Sequence, residues 1–229
     1  MTITTASPPA SSHSAPLELF DIDRLLDDDE RDIAATVRKS VDTRLRPNIE
    51  GWFESATLPK ELAKDFGDLG VLGMHLDGYG CAGTNAVSYG LACLELEAGD
   101  SGFRSFVSVQ GSLSMFSIYR FGSEEQKSEW LPRLAAGEAI GCFGLTEPDF
   151  GSNPAGMRTR ARRDGTDWVL NGTKMWITNG NLADVATVWA QTDDGIRGFL
   201  VPTDTPGCLP IPRASSLTRS TRGCPYGRR

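Results

Sequence analysis

The stretch of this 229-residue chain with the most chemical content is CFGLTEPDFGSNPAG, residues 142–156. It leaves a short apolar run and brings Gly144, Thr146, Gly151 and Ser152 close together. Small residues let a backbone approach a flat ligand, and exposed N–H groups and hydroxyls can satisfy the carbonyls and nitrogens of a ring. Further on, MWITN (175–179) sets Trp176 and Thr178 on one face of a predicted strand, an aromatic plane beside a hydroxyl. As local chemistry the same two segments also read as a plain loop and hairpin. GDLGVLG holds Gly67, Gly70 and Gly73, but it closes a predicted helix and does not join a strand to a helix. Helix termination and tight packing explain it better than a phosphate loop. No Walker A or GxSxG sequence occurs.

Other chemistries are excluded by what is scarce. The histidines are His13, near the N-terminus, and His75, so a His-rich metal site or a Ser-His-Asp triad has almost nothing to draw on. No metal ligand set is expected, and His75 reads as a structural or surface residue. The five cysteines (81, 93, 142, 208 and 224) are odd in number and form no CxxC pair, which points to reduced thiols and a cytoplasmic location. A net charge of −7 argues against nucleic-acid or anionic-membrane binding, and no segment is long and apolar enough to span a bilayer.

The elements that must position these residues fall into two styles. Residues 1–16 lack a basic region and an apolar core and read as a disordered leader. Residues 17–139 are helical in pattern. A first helix stops before Pro47, and Pro59 opens a second. Asn85 caps a third with Val87, Leu91 and Leu94 on one face. A fourth runs from about Ser101 to Tyr119, and Ser123 with Gln126 has capping-box spacing before a fifth. From 140 to 206 the period changes: 140–146 reads as a strand, and Asp164-Gly165 and Asp194-Gly195 mark hairpin turns. The fold class is therefore α+β, an all-α unit followed by an antiparallel β unit. Residues 207–229 carry five Arg and no acidic residue; without them the body holds 18 basic against 30 acidic residues, a net −12. That break in style reads either as a basic arm for an acidic partner or, more simply, as a segment foreign to the rest.

Together, GLTEPDFGS and NGTKMWITNG resemble the flavin-binding signature of the acyl-CoA dehydrogenase family. DGYGCAG (77–83), LELEAGDSGFRS (94–105), YRFGSEEQKSEWLPRLAAGE (119–138) and RGFLVP (197–202) look specifically like its glutaryl-CoA dehydrogenases. The resemblance covers about residues 17 to 207. It implies a helical domain, a β domain and a C-terminal four-helix domain, with FAD between them and a homotetramer in the intact family. The family's flavin contacts fall on Phe143, Gly144, Leu145, Thr146, Ser152, Trp176, Ile177 and Thr178. Backbone N–H groups and Thr146 would hold the pyrimidine edge while Trp176 shields a ring face. Ser152 also lies where the family meets the acyl-CoA. Arg104 and Ser105 match residues that meet the distal carboxylate of glutaryl-CoA, a job suited to a rigid, permanently charged guanidinium, and Glu97 matches a carboxylate near that end. The implied reaction is α,β-dehydrogenation with decarboxylation to crotonyl-CoA, and electrons pass to an electron-transfer flavoprotein.

Phe150 and Asn153 stand where the general family pattern prefers a small residue and Asp. The general-base carboxylate of the family belongs to its C-terminal domain, so no catalytic residue is expected within these 229 residues, and the β unit is expected to be incomplete. Two readings follow: a truncated FAD-dependent dehydrogenase, or an inactive remnant or frameshift product with at most weak flavin or acyl-CoA binding.

Overall fold

The computed structural model describes residues 22–211, 216–218 and 221–224. The expected leader and parts of the Arg-rich segment lie outside the described residues.

The helical unit begins with α1 (Asp28–Ser40), capped at Asp27 by a reciprocal pair of bonds with Glu30. The helical path does not stop before Pro47. It tightens and loosens through a π turn (Val41–Leu45) and a 3₁₀ turn (Arg46–Asn48) and continues as α2 (Ile49–Glu54). Pro47 sits in the first positions of the 3₁₀ turn, where a missing N–H removes no bond. Helix α3 (Leu62–Asp68) follows Pro59 by one turn and is ended by Gly70 at φ +77°.

Helix α4 (Ala86–Gly99) is capped by Asn85, whose side chain accepts the Ser88 N–H. Its buried face is not the apolar stripe: Ser88, Ala92, Glu95 and Leu96 turn inward, while Val87 and Leu94 are 48% and 38% exposed. Glu95 can take an inward position because Arg38 of α1 donates to both of its carboxylate oxygens. A buried carboxylate paired this way fixes which face of α4 meets α1. Helix α5 (Ser101–Ser108), a π segment (Val109–Met115) and α6 (Phe116–Phe121) make one continuous run, the predicted fourth helix with a widened middle. Helix α7 (Glu124–Ala135) carries the predicted Ser123–Gln126 capping box.

Among the described residues nine strands follow: β1 (Gly141–Gly144), β2 (Arg160–Asp164), β3 (Asp167–Asn171), β4 (Thr173–Lys174), β5 (Val185–Thr192), β6 (Gly195–Pro202), β7 (Leu209–Ile211), β8 (Ser216–Thr218) and β9 (Thr221–Cys224). Both predicted hairpins form, β2–β3 across Gly165 at φ +65° and β5–β6 with eight paired positions. The sheet is mixed, however, and not wholly antiparallel: β1 pairs parallel with β5 over four positions, and Arg160 of β2 meets Gln191 of β5 in the same sense. The long excursion between β1 and β5 is the crossover that a parallel pair needs. Strand β9 extends this sheet beside β3, and β4, β8 and β7 form a second small sheet.

One face of the β5–β6 hairpin, through Val185 and Leu200, packs on Met115, Ile118, Trp130, Leu131 and Leu134 of the helices. Leu131 and Leu134 are wholly buried, worth roughly 1.5–3 kcal/mol each by transfer. The other face packs Cys142 and Ala186 on Ile177, and Ala161, Leu170 and Ala190 on Phe199 and Val201.

Candidate functional site

Residues 143–146 run off the end of β1 into the glycine-rich loop. Phe143 is half-buried with its ring edge-on to Trp189, centroids 5.9 Å apart; Gly144 is buried, and Leu145 and Thr146 are half-buried. Glu147 then turns inward. Its carboxylate accepts the Arg158 N–H at 2.6 Å, the Thr159 N–H at 2.9 Å and the Lys174 ammonium at 2.9 Å. The two charged side chains are 4% and 2% exposed. Burial alone would raise the Glu147 carboxyl, but the hydrogen bonds from Thr159, Arg158 and Lys174 outweigh it and hold the group at about 2. Burial lowers Lys174, against the pull of Glu147. Sequence reasoning passes over both residues, because one Glu and one Lys in polar-looking segments carry no spacing signal.

The second segment is stitched to the first. Met175 donates its N–H to the Thr146 carbonyl at 2.9 Å, and Lys174 donates to the Leu145 carbonyl at 3.0 Å. Beyond Lys174 the chain is not the predicted strand. Trp176 (φ +59°) and Asn179 (φ +65°) lie in the left-handed region, which breaks the alternation a strand would impose. Ile177 is buried against Cys142 and Ala186, and Trp176 and Thr178 turn out to solvent on either side of it. Trp176 is 72% exposed. A bulky residue at positive φ is strained, and Trp176 buries little surface to offset that cost.

Ser152 is exposed on the loop. Phe150, the departure noted in the sequence, folds back over Gly156 and under the Arg158 guanidinium, 5.5 Å from its ring centre, and so fills the loop. What faces out near the end of β1 is a set of small residues, the hydroxyl residues Thr146, Ser152 and Thr178, and an uncovered indole. The Thr146 N–H meets no acceptor among the described residues. This donor set fits a flat heteroaromatic cofactor with carbonyls along one edge.

Arg104, Ser105 and Glu97 form a second group on α4 and α5. Arg104 Nε donates to Glu97 at 2.6 Å, and its Nη1 reaches Ser108 Oγ at 3.4 Å. The bond to Glu97 raises the guanidinium above its ordinary value, so it stays charged throughout. Ser105 is half-buried and lends its carbonyl to Ser108. His75 packs its ring 4.9 Å from Tyr89, which bonds Ser112 one helical face along; burial lowers His75 and favours the neutral ring.

Among the described residues no hydrogen bond joins the two groups directly; Gln110 joins the elements that carry them. Its wholly buried amide donates to the Leu134 and Ala139 carbonyls and accepts the Gly141 N–H at 2.7 Å. It lies six residues past Arg104, about 9 Å along the helix, and it grips the first residue of β1. Asp184 does the same for Ile140, accepting its N–H at 2.8 Å while pairing with Lys60 of the helical unit. Farther along the same helical run, a cleft of about 950 Å³ opens between Phe121 and the sheet residues Thr187, Trp189 and Leu200, with Arg163 and Arg197 on its wall.

Among the described residues, no helix is long and apolar enough to cross a membrane, and no cluster of His, Cys, Asp and Glu could hold a metal ion. Residues 27–138 match the family model "Acyl-CoA dehydrogenase, N-terminal domain", and residues 142–226 match "Acyl-CoA dehydrogenase, middle domain". The second match takes in most of the Arg-rich segment, so the break in composition at 207 does not coincide with its edge. The chain is similar to a glutaryl-CoA dehydrogenase from Mycobacterium smegmatis solved in complex with FADH2: TM-score 0.89 and 82% identity, over 93% of this chain and 58% of that one. It is similar also to another glutaryl-CoA dehydrogenase structure from Mycobacterium smegmatis, with TM-score 0.85 and 62% identity over 87% of this chain and 55% of that one. The human mitochondrial short-chain specific acyl-CoA dehydrogenase is 43% identical over 155 residues, 65% of this chain and 38% of the relative. The chain thus spans well under two thirds of the length of each.

Proposed function

The chain belongs to the acyl-CoA dehydrogenase family, and we propose that it carries the FAD and acyl-CoA contacts of a glutaryl-CoA dehydrogenase. The observation that carries this reading is the joined pair of segments, Phe143–Glu147 and Lys174–Thr178, with outward donors and an uncovered Trp176. High identity to a glutaryl-CoA dehydrogenase that binds FADH2 supports the choice of cofactor and subfamily.

On this reading Thr146 and neighbouring N–H groups hold the cofactor's pyrimidine edge, Ile177 anchors the segment from below, and Trp176 and Thr178 cover and bond the ring system. When bound, FAD would supply the acceptor for the hydride lost from Cβ as the Cα–Cβ bond becomes double. The residues of this chain bind and orient. Arg104 meets the distal carboxylate of glutaryl-CoA with Ser105 beside it, and Glu97 holds the guanidinium in place. Ser152 meets the acyl-CoA. The helical run from Ser101 to Phe121 is about 30 Å long, enough to set the acyl end at Arg104 and the CoA end at the cleft beside Phe121. Arg163 and Arg197 are suited to its phosphates.

None of these residues removes the α-proton; that carboxylate belongs to the family's C-terminal helical domain. Loss of CO2 from the oxidised product would give crotonyl-CoA, with electrons passing to an electron-transfer flavoprotein. A homotetramer and a cytoplasmic location belong to the same reading. The test is purification of the 229-residue chain, a flavin absorption spectrum, and competition binding of glutaryl-CoA against butyryl-CoA. A yellow protein that prefers glutaryl-CoA supports the assignment. A colourless protein that takes up neither FAD nor an acyl-CoA refutes it and favours the inactive-remnant reading.

A further inference from the structure

Lys174 is a buried lysine that bonds a backbone carbonyl in the loop leaving β1. Lys174 donates to the Leu145 carbonyl at 3.0 Å and to Glu147 at 2.9 Å, and its stem passes Gly144, where an added Cβ would already touch it at 3.5 Å. The Lys174 side chain is only 2% exposed, and among the described residues the ammonium's remaining neighbour is the Met157 sulfur at 3.9 Å. Glu147 is itself held by two backbone N–H groups, so it is a fixed counter-charge and holds the ammonium in place.

The Leu145 carbonyl and the Thr146 N–H belong to one peptide unit. In a trans peptide these two groups point in opposite directions, and no cis peptide bond occurs among the described residues. With the carbonyl drawn inward to the ammonium, the N–H is aimed outward, and it finds no acceptor among the described residues. A cation on the carbonyl also polarises the peptide and strengthens its N–H as a donor.

We propose that Lys174 is a positioning residue for the cofactor: held by Glu147, it fixes and polarises the Leu145–Thr146 peptide so that the Thr146 N–H is presented to the flavin. This rests on the FAD reading above. Lys174 touches no cofactor atom; it acts through the peptide. It differs from a merely structural ion pair in one respect. Neutralising both members of a buried pair often leaves stability nearly unchanged, but here it would still remove the donor that orients the peptide.

The experiment uses the full chain, the Lys174→Met variant and the Glu147→Gln/Lys174→Met double variant, with FAD titrated by fluorescence. The Thr146 amide resonance is recorded in ¹⁵N-labelled protein with and without FAD. The single variant serves only where it folds. The double variant is expected to fold, to lose FAD affinity by at least about tenfold, and to show a displaced Thr146 amide in the cofactor-free state that no longer responds to FAD. A double variant that binds FAD as tightly as the natural chain, or whose cofactor-free Thr146 amide is unmoved, overturns the proposal. Should the natural chain itself take up no FAD, the cofactor reading fails, and the cofactor-free amide alone decides whether Lys174 sets the peptide.

Discussion

Replacing Gln110 by leucine tests whether the junction between helices and sheet is set by one buried amide. The substitution nearly conserves volume, so its cost falls on the hydrogen bonds it removes. Gln110 serves three backbone groups: the Leu134 and Ala139 carbonyls and the Gly141 N–H. Leu134 keeps a bond from the Gly137 N–H, so two groups are left without the partner shown here. A buried polar group stripped of its partner costs about 1–3 kcal/mol, giving roughly 2–6 kcal/mol for Gln110→Leu. That is a large part of the ~5–15 kcal/mol a domain has to spare. Gln110→Glu should be at least as damaging, since it keeps the acceptor for Gly141 but turns a second oxygen toward two carbonyls. Urea unfolding followed by circular dichroism reads the loss as a lower midpoint at unchanged slope. If both variants unfold within about 0.5 kcal/mol of the natural chain, the amide is not what fixes β1 against the helical run, and the reasoning fails.

Trp176→Gly relieves a left-handed residue that is 72% exposed and buries little, so the melting temperature should rise by the equivalent of about 1 kcal/mol while FAD affinity falls; a thermal melt beside a flavin titration checks both signs, and a lower melting temperature refutes the strain. Arg104→Lys in an intact homologous enzyme should cut turnover of a dicarboxylyl-CoA far more than that of an alkyl-CoA; equal losses remove Arg104 from substrate selection. For Glu147, the folded value of about 2 lies below the unfolded carboxyl near 4.5, so its contribution is complete above pH 4.5 and is lost as pH falls toward 2. Acid titration of stability should therefore be shallower over that window in Glu147→Gln than in the natural chain, and identical slopes exclude Glu147 as the acid-sensitive group.

Local signals read well where one short stretch decides the outcome. Asn85 and the Ser123–Gln126 pair cap helices as their side chains require, and Gly165 and Gly195 turn the two hairpins. The family signature was legible for the same reason: its glycines, hydroxyls and tryptophan are close in sequence. Local pattern fails where a residue's partner is distant in sequence. Val87, Leu91 and Leu94 form a regular apolar face, yet the helix buries Glu95 instead because Arg38, 57 residues away, pairs with it. Trp176 and Thr178 alternate as a strand would, yet Thr146 and Glu147 claim the preceding residues and bend the chain out of the sheet. The parallel pairing of β1 with β5 depends on the same long-range closure, which no hairpin signal announces.

The polar residues that the sequence hid share a feature that the visible ones lack. Gln110 binds the N–H of Gly141, Asp184 that of Ile140, Glu147 those of Arg158 and Thr159, and Lys174 the carbonyl of Leu145. Each spends at least one bond on the backbone of β1, of the residue before it, or of the loop that leaves it. Thr146, Ser152, Trp176 and Thr178 remain outward-facing and carry no comparable load. A site that offers N–H groups to a flat ring needs this division, because a backbone donor can be aimed only by fixing the peptide that bears it. Side chains facing out can then vary in detail without moving the donors, whereas loss of a buried pin moves every donor downstream of it. The pins also differ from an ordinary core in their physics. Apolar packing tolerates small shifts in register, but a buried amide or ammonium that misses its carbonyl is left unpaired at full cost. Burying polar side chains at this seam therefore trades stability for position, and position is what the outward-facing N–H groups require.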